Sequence, residues 1–309
     1  MIRNFLRKLK RNKFDILLKK AARERKKRFL ILWNRGLGDI ALGLYGMVFR
    51  IKKCIPHAQI TFLTRKELAD AFSLLAGTNV IAVPWWQRKN PIDFDDTARR
   101  LNLKQEDYDI VLLEVNPTKW LKWQIGNLIP KMSWKSDYDL LWKRLNINCQ
   151  SRLNIGVHLN TETQQFYGYN KDWPLANWEK LLERILHQSN IGVLLLGQHK
   201  TPFLKHPSLI DLRGETSLLE VLSLIKNCCK ILIAPDGGLL SLTYYLDVFF
   251  PITIISLWGD VHQGILKQAV PSPNKGLIHI SLTGEEKDIT RLEVDKVFEA
   301  VLNSIQVNQ

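Results

Sequence analysis

Three short stretches place chemically capable side chains beside turns that a ligand could approach. The first, Asn34-Arg35-Gly36-Leu37-Gly38-Asp39, follows an apolar run and precedes a helical pattern. Its glycines permit a tight turn with the backbone open to a ligand, and with Ala41 the string fits the dinucleotide pattern GxGxxA. Asp39, however, would stand in the first helical turn, where a carboxylate competes with a pyrophosphate for the same positive helix end. That weighs against a nicotinamide dinucleotide. It leaves Asp39 two roles, a general base for a hydroxyl or a stabilising charge at a helix start.

The second stretch, Ala234-Pro235-Asp236-Gly237-Gly238-Leu239, also lies between an apolar run and a helical pattern. Gly237 and Gly238 would leave backbone N–H groups open to an anion, and Asp236 can cap the helix; the same string is equally a common tight turn. The third is Tyr167-Gly168-Tyr169-Asn170-Lys171-Asp172-Trp173-Pro174. Lys171 there can neutralise a phosphate, or stand as an ordinary solvated loop lysine.

Such loops need strands and helices to hold them. From Arg28 onward, short apolar runs alternate with amphipathic segments. Strands are predicted at Phe29 to Trp33, Gln59 to Leu63, Val80 to Val83 and Asp109 to Glu114, with helices near Ile40 to Ile51, Lys66 to Leu75 and Asp93 to Leu101. A Trp- and Lys-rich stretch, Asn116 to Asn148, interrupts the alternation. Strands then resume at Leu153 to His158, Ile191 to Leu196, Leu209 to Leu212, Lys230 to Ala234 and Ile252 to Leu257, with helices near Asn177 to Leu186, Ser217 to Asn227 and Leu239 to Leu246. The repetition implies an α/β protein with two parallel sheets, each covered on both faces. Its ligands should sit at the carboxyl ends of the strands, in a cleft between two doubly wound domains. The expected divisions are a basic extension over 1–28, a first Rossmann-like domain over 29–148, a second over 149–290, and a terminal helix over 291–309.

The 309 residues carry a formal charge of +14, but the first 28 hold 13 basic and 2 acidic side chains, which leaves only +3 on the rest. The basic excess therefore belongs to one segment, not to a surface built for nucleic acid. Within it Ile2, Phe5, Leu6, Leu9, Phe14, Ile16, Leu17 and Leu18 partly follow a helical stripe, the composition of a helix lying on anionic lipid, with a solvated basic arm or one that binds RNA as the alternative. No apolar run is long enough to span a bilayer, and none has the form of a signal peptide. Cys54, Cys149, Cys228 and Cys229 show no metal-ligand spacing, and four cysteines make no disulfide framework, so reduced thiols in a cytoplasm are expected and a metal is not. Six of the ten tryptophans, Trp85, Trp86, Trp120, Trp123, Trp134 and Trp142, stand among lysines and arginines. Aromatic planes beside cations suit a sugar-phosphate glycolipid, although many such rings simply fill cores.

The order Gly38-Asp39-Ile40, Lys171-x-Trp173-Pro174 with Trp178, Leu212-x-Gly214-x-Thr216-Ser217-Leu218-x-Glu220, then Asp236-x-Gly238 followed by Leu242 resembles the heptosyltransferases of glycosyltransferase family 9. The resemblance runs from about Phe29 to Gly259. It implies the GT-B architecture, two Rossmann-like domains facing a central cleft, with the terminal helix returning toward the first domain. It also implies inverting, metal-independent transfer of heptose from an ADP-sugar to the lipopolysaccharide inner core at the cytoplasmic face of the bacterial inner membrane. No cofactor beyond that co-substrate is implied. Asp39 matches the family's general base and Lys171 the lysine facing the donor. Asp236, Gly237, Gly238, Leu239 and Ser241, with Gly197, fall in the donor site. Gly36, Gly38, Arg65, Arg88, Lys89 and Lys119 are the candidates for holding an anionic glycolipid acceptor. The chain departs from the family at Ser241, where His is usual, and at Gly237, where Thr or Ser is usual. Gly197-Gln198-His199-Lys200 offers no ribose-binding acid, and Glu114-Val115-Asn116 only loosely follows the usual Asp-x-Gln. Two other readings remain open, a GT-B-like scaffold that binds glycolipid or nucleotide without catalysis, and an NAD(P)-dependent oxidoreductase.

Overall fold

A computed structural model describes residues 12–88, 90–149, 153–161 and 170–308. They form two compact units, Met1–Arg35 with Asp39–Leu128, and Gly36–Gly38 with Ile129–Gln309. In the first unit β1 (Arg28–Trp33), β2 (Gln59–Arg65), β3 (Asn79–Val83) and β4 (Ile110–Leu112) make a parallel sheet in the order β3-β2-β1-β4. β1 reads Arg-Phe-Leu-Ile-Leu-Trp and is buried almost throughout, as a central strand covered on both faces must be. Asp109, just before β4, accepts from the Lys27 and Arg28 amides at 2.8 Å and from the Arg28 guanidinium at 2.9 Å. These bonds hold its carboxyl well below the usual carboxylate range and fix the register of β4 on β1.

In the described part of the basic segment the apolar stripe is buried. Asn12 caps α1 (Lys13–Arg23), and Phe14, Leu18 and Ala21, at intervals of four and three residues, are all buried. Phe14 stacks on Trp120 at 5.2 Å, and Asp15 pairs at 2.8 Å with Arg50 of α2 (Tyr45–Cys54). The inner stripe therefore faces protein and belongs to the first unit's core. Ile16, 47% exposed, remains on the outer side. Ile2, Phe5, Leu6 and Leu9 lie outside the described residues.

In the second unit six parallel strands, β5 (Leu153–His158), β6 (Ile191–Leu196), β7 (Leu209–Asp211), β8 (Cys229–Pro235), β9 (Ile252–Trp258) and β10 (Leu277–Thr283), run in the order β10-β9-β8-β5-β6-β7. Counted from β5, this is the 3-2-1-4-5-6 order of the Rossmann fold. β10 escapes the sequence reading because it is an edge strand whose residues alternate between partly buried and exposed, without a continuous apolar run. α3 (Leu175–Leu186) starts just after Pro174, and α4 (Leu218–Cys228) starts at a capping box between Ser217 and Glu220. The terminal α5 (Val294–Asn308), expected to return toward the first domain, places Val297, Phe298, Val301 and Ile305 in the second unit's own core, against α3 and the sheet.

The units divide at Leu128, not at 148, because the Trp- and Lys-rich stretch packs with the second unit. Met132 bridges to Leu246, and the 3-10 helix Ser136–Leu145 lies on α4, with Asp139 paired to Lys226 at 2.7 Å. Cys149 and Cys228 form a disulfide, which corrects the expectation of four thiols; Cys54 and Cys229 are free. The two partners are 79 residues apart, so tertiary placement, not spacing, brings them within reach. Among the described residues no helix is long and apolar enough to cross a membrane.

Phe14→Ala should lower the stability of the first unit by about 3 kcal/mol in urea unfolding, the scale for a buried aromatic truncated in a core. Deleting residues 1–27 should do more damage still, whereas a lipid-only role predicts no change in either. Cys228→Ser should cost about 2–4 kcal/mol through the longer conformational reach of the open chain, detected as a lower urea midpoint than that of the oxidised protein.

Candidate functional site

β5 lies between β8 and β6, and the chain leaves it first toward β6 and later toward β8. Loops at the carboxyl ends of β5 and β8 therefore diverge and leave a crevice between them, where ligands of such sheets bind. Lys171, in the β5 loop, and Asp236, at the end of β8, form an ion pair across that crevice. The Asp236 carboxylate is buried and faces the lysine. Its suggested capping role is not realised, since the helix α6 (Gly238–Tyr244) has Gly237 at its N-cap position and no side-chain cap. Asp172, next in sequence to Lys171, accepts from the Thr161 amide at 2.8 Å, which joins the two ends of the β5 loop. Burial pushes its carboxyl above the usual range.

Gly237 is confined. An added Cβ would lie 3.2 Å from the Thr161 methyl and 3.7 Å from Cε1 of His158. Ser241 is buried and donates its hydroxyl to the Gly237 carbonyl at 3.0 Å, so it braces the loop from below. Leu239 is a core residue. Gly197, after β6, has φ +143, a conformation that glycine alone adopts readily, and its carbonyl accepts from the Gly214 amide at 2.8 Å. Beside it, buried Arg213 bonds both oxygens of Asp211 at 2.8 Å and the Thr201 carbonyl at 2.8 Å.

Several residues here carry no assignment from sequence. His158, the last residue of β5, fits a strand pattern as well as any neighbour does. Burial pushes its imidazole down to about 4, so it is neutral near pH 7. Gly264 opens α7 (Gly264–Gln268) after β9, at φ +47, and a Cβ there would collide with the Asp236 carboxylate and lie 2.7 Å from the Trp258 ring. Thr161 and Asp172 likewise emerge only from the folded loop. Their signal in the sequence is position alone, just after strands at the edge where ligands bind.

In the first unit Asp39 starts a π-helix, Ile40–Leu44, that runs into α2. Single π turns inside helices occur frequently at functional sites. Asp39 makes no side-chain capping bond there, so the simple capping role lacks its hydrogen bond. The altered helix shifts its carbonyls, and buried Gln124 donates to the Leu42 carbonyl at 2.5 Å. Gly43 fits against Pro117, where a Cβ would lie 2.7 Å from the ring. Arg65 is buried and bonds Asn34 Oδ1 at 3.2 Å and the Arg35 carbonyl at 3.1 Å, while Asn34 donates to the Gln87 carbonyl at 2.9 Å. Arg65 thus fixes the loop before Asp39. Gly36 and Gly38 group with the second unit and Asp39 with the first. Arg88 is partly buried, Lys119 is exposed on the one-turn helix Pro117–Trp120, and Lys89, Tyr167, Gly168 and Tyr169 lie outside the described residues. Among the described residues, no group of three or more His, Cys, Asp or Glu side chains is placed to hold a metal ion.

Two Rossmann-like parallel sheets, one with the full six-strand order, are the domains of the GT-B class. Residues 129–263 match the family model of glycosyltransferase family 9 (heptosyltransferase), a segment that lies within the second unit. No curated protein matches the chain in sequence. Solved structures match it in fold. A glycosyl transferase family 9 protein from Veillonella parvula DSM 2008 is 15% identical, with a TM-score of 0.60, over 91% of this chain and 97% of its own. The E. coli ADP-heptose lps heptosyltransferase II is 14% identical, with a TM-score of 0.60, over 91% of this chain and 100% of its own. E. coli heptosyltransferase WaaC with ADP is 16% identical, with a TM-score of 0.53, over 90% and 99%.

Gly264→Ala should disturb the Asp236 carboxylate. It is expected to lower the melting temperature; an unchanged value would show that the collision at Trp258 and Asp236 is relieved at no cost.

Proposed function

We propose that the protein is an inverting, metal-independent glycosyltransferase that moves heptose or a related sugar from an ADP-sugar to a lipopolysaccharide inner-core acceptor. The observation that carries this reading is the Lys171–Asp236 pair beside Gly237 and Gly238 at the carboxyl end of β8, inside the segment that matches family 9. The fold neighbours solved with ADP, and with ADP-2-deoxy-2-fluoro heptose, support a nucleotide sugar as the donor class.

In this mechanism the donor diphosphate lies along the loop after β8. As the anomeric carbon to oxygen bond breaks, electrons pass to the leaving diphosphate, whose growing charge meets the amides of Gly237 and Gly238 and the Lys171 ammonium. Asp39 takes the proton of the acceptor hydroxyl as that oxygen attacks from the opposite face. One displacement inverts the centre, and the chain's own groups supply both the base and the charge stabilisation without any cofactor. Arg88, Lys89 and Lys119 offer cations to the phosphates of a glycolipid acceptor, with Arg65 positioning the Asp39 loop from behind. The cations of residues 1–28 favour peripheral placement at the anionic cytoplasmic face of the inner membrane, with α1 anchored in the protein and its outer side available to the lipid surface. Nucleic acid has no part in this reading.

The non-catalytic scaffold has one observation in its favour: Ser241 stands where the resembling family usually has His, and its hydroxyl already bonds the Gly237 carbonyl. Asp39→Asn separates the readings. Turnover should fall by about 10²–10⁴-fold, the usual worth of a general base, with melting temperature and ADP affinity unchanged. Full turnover in Asp39→Asn would remove Asp39 as the base. A wild-type protein that binds ADP but transfers no sugar would be the scaffold.

A further inference from the structure

His158 closes β5 beneath the crevice. Its Nδ1 is buried and has no hydrogen-bond partner among the described residues. A neutral imidazole carries one N–H. On Nδ1 that proton would be a buried donor without an acceptor, the costlier orphan, whereas a lone pair on Nδ1 with the proton on Nε2 leaves only an unused acceptor. The fold thus selects the tautomer with the proton on Nε2.

The same ring edge faces the two glycines of the crevice. A Cβ on Gly197 would lie 3.6 Å from Cδ2 and 3.9 Å from Nε2, and a Cβ on Gly237 would lie 3.7 Å from Cε1. Nε2 sits between these two carbons, so its N–H is directed toward the gap that the missing side chains keep open. The donor is uncharged, with its lone pair enclosed on the far side, and it can only give a hydrogen bond in that direction. It matches an oxygen that only accepts. Lys171 is already paired with Asp236, so a phosphate there gains from donors besides that ammonium.

We propose that His158 is a specificity-determining residue of the donor site, giving its Nε2–H to a phosphoryl oxygen of a nucleoside diphosphate laid across Gly197 and Gly237. The proposal rests on the donor reading above and adds an uncharged side-chain donor to the amides and the ammonium that meet the diphosphate.

The test uses the full chain with ADP and adenosine as probes. His158→Phe keeps a planar ring and removes the N–H; His158→Gln returns a side-chain N–H of similar reach. Calorimetry should show ADP weakened about 10- to 100-fold in His158→Phe, the range for a hydrogen bond to a charged group, with partial recovery in His158→Gln and adenosine affinity the same in all three. In the wild type, ADP but not adenosine should shift the Nε2–H resonance of His158 in ¹⁵N NMR, a readout that stands even if a variant folds poorly. Equal ADP affinity in wild type and His158→Phe, a proportional loss of ADP and adenosine, or an unmoved Nε2–H resonance with ADP bound would overturn the role of His158 and leave the donor reading standing. A wild type that binds neither probe would overturn the donor reading and this inference with it.

Discussion

A buried carboxylate must find a partner, and in the second unit that requirement joins the two loops that define the crevice. Asp236 ends the buried strand β8, and taking its charge out of water unpaired would cost several kcal/mol. Lys171 supplies the opposite charge from the loop of β5, the neighbouring strand across the point where the strand order reverses. The surrounding residues follow from that contact. Asp172 accepts from the Thr161 amide, Gly264 leaves room for the carboxylate under Trp258, and Gly237 stays small so that Thr161 and His158 can approach. A break in the pair would leave a buried charge on one loop and slack in the other, so geometry and stability are coupled at this edge.

The first unit solves a different problem with the same sheet logic. Its loop after β1 places Asp39 at the head of a helix, where the side chain makes no capping bond. The π turn at Ile40–Leu44 changes the helix start, Gln124 satisfies the carbonyl that results, and Arg65 holds the loop before it from β2. Two residues distant in sequence, Gln124 and Arg65, thus hold the helix and the loop that carry Asp39.

How much of this is legible in the sequence depends on the range of the interaction. Among the described residues, nearly continuous apolar runs mark the inner strands β1, β6, β8 and β9, because a parallel strand buried on both faces has little other choice of residue; β10, half-exposed at an edge, lacks that mark. Turn glycines and the capping box of α4 are local and readable. The stripe of α1 is readable too, but amphipathicity does not say whether lipid or protein meets the apolar face; Trp120 and Arg50 decide that from far along the chain. Asp39, Lys171 and Asp236 can be chosen by residue type beside turns. His158 and Gly264 cannot, since the first ends an ordinary strand pattern and the second matters only for what stands opposite it.

The disulfide has a topological consequence. Cys149 precedes β5 and Cys228 ends α4, so the covalent ring they close contains β5, β6 and β7, while β8, β9 and β10 lie beyond it. The six-strand sheet is therefore made of two halves of unlike connectivity, one a closed loop of chain and the other an open tail. A single cut anywhere inside the ring leaves every piece attached, and a cut after it releases the carboxyl-terminal half. Nicked protein retaining its β5–β7 strands as one covalent body would thus migrate intact until a reductant is added, and the half that carries His158 and Lys171 would remain covalently bounded even when the sheet has come apart.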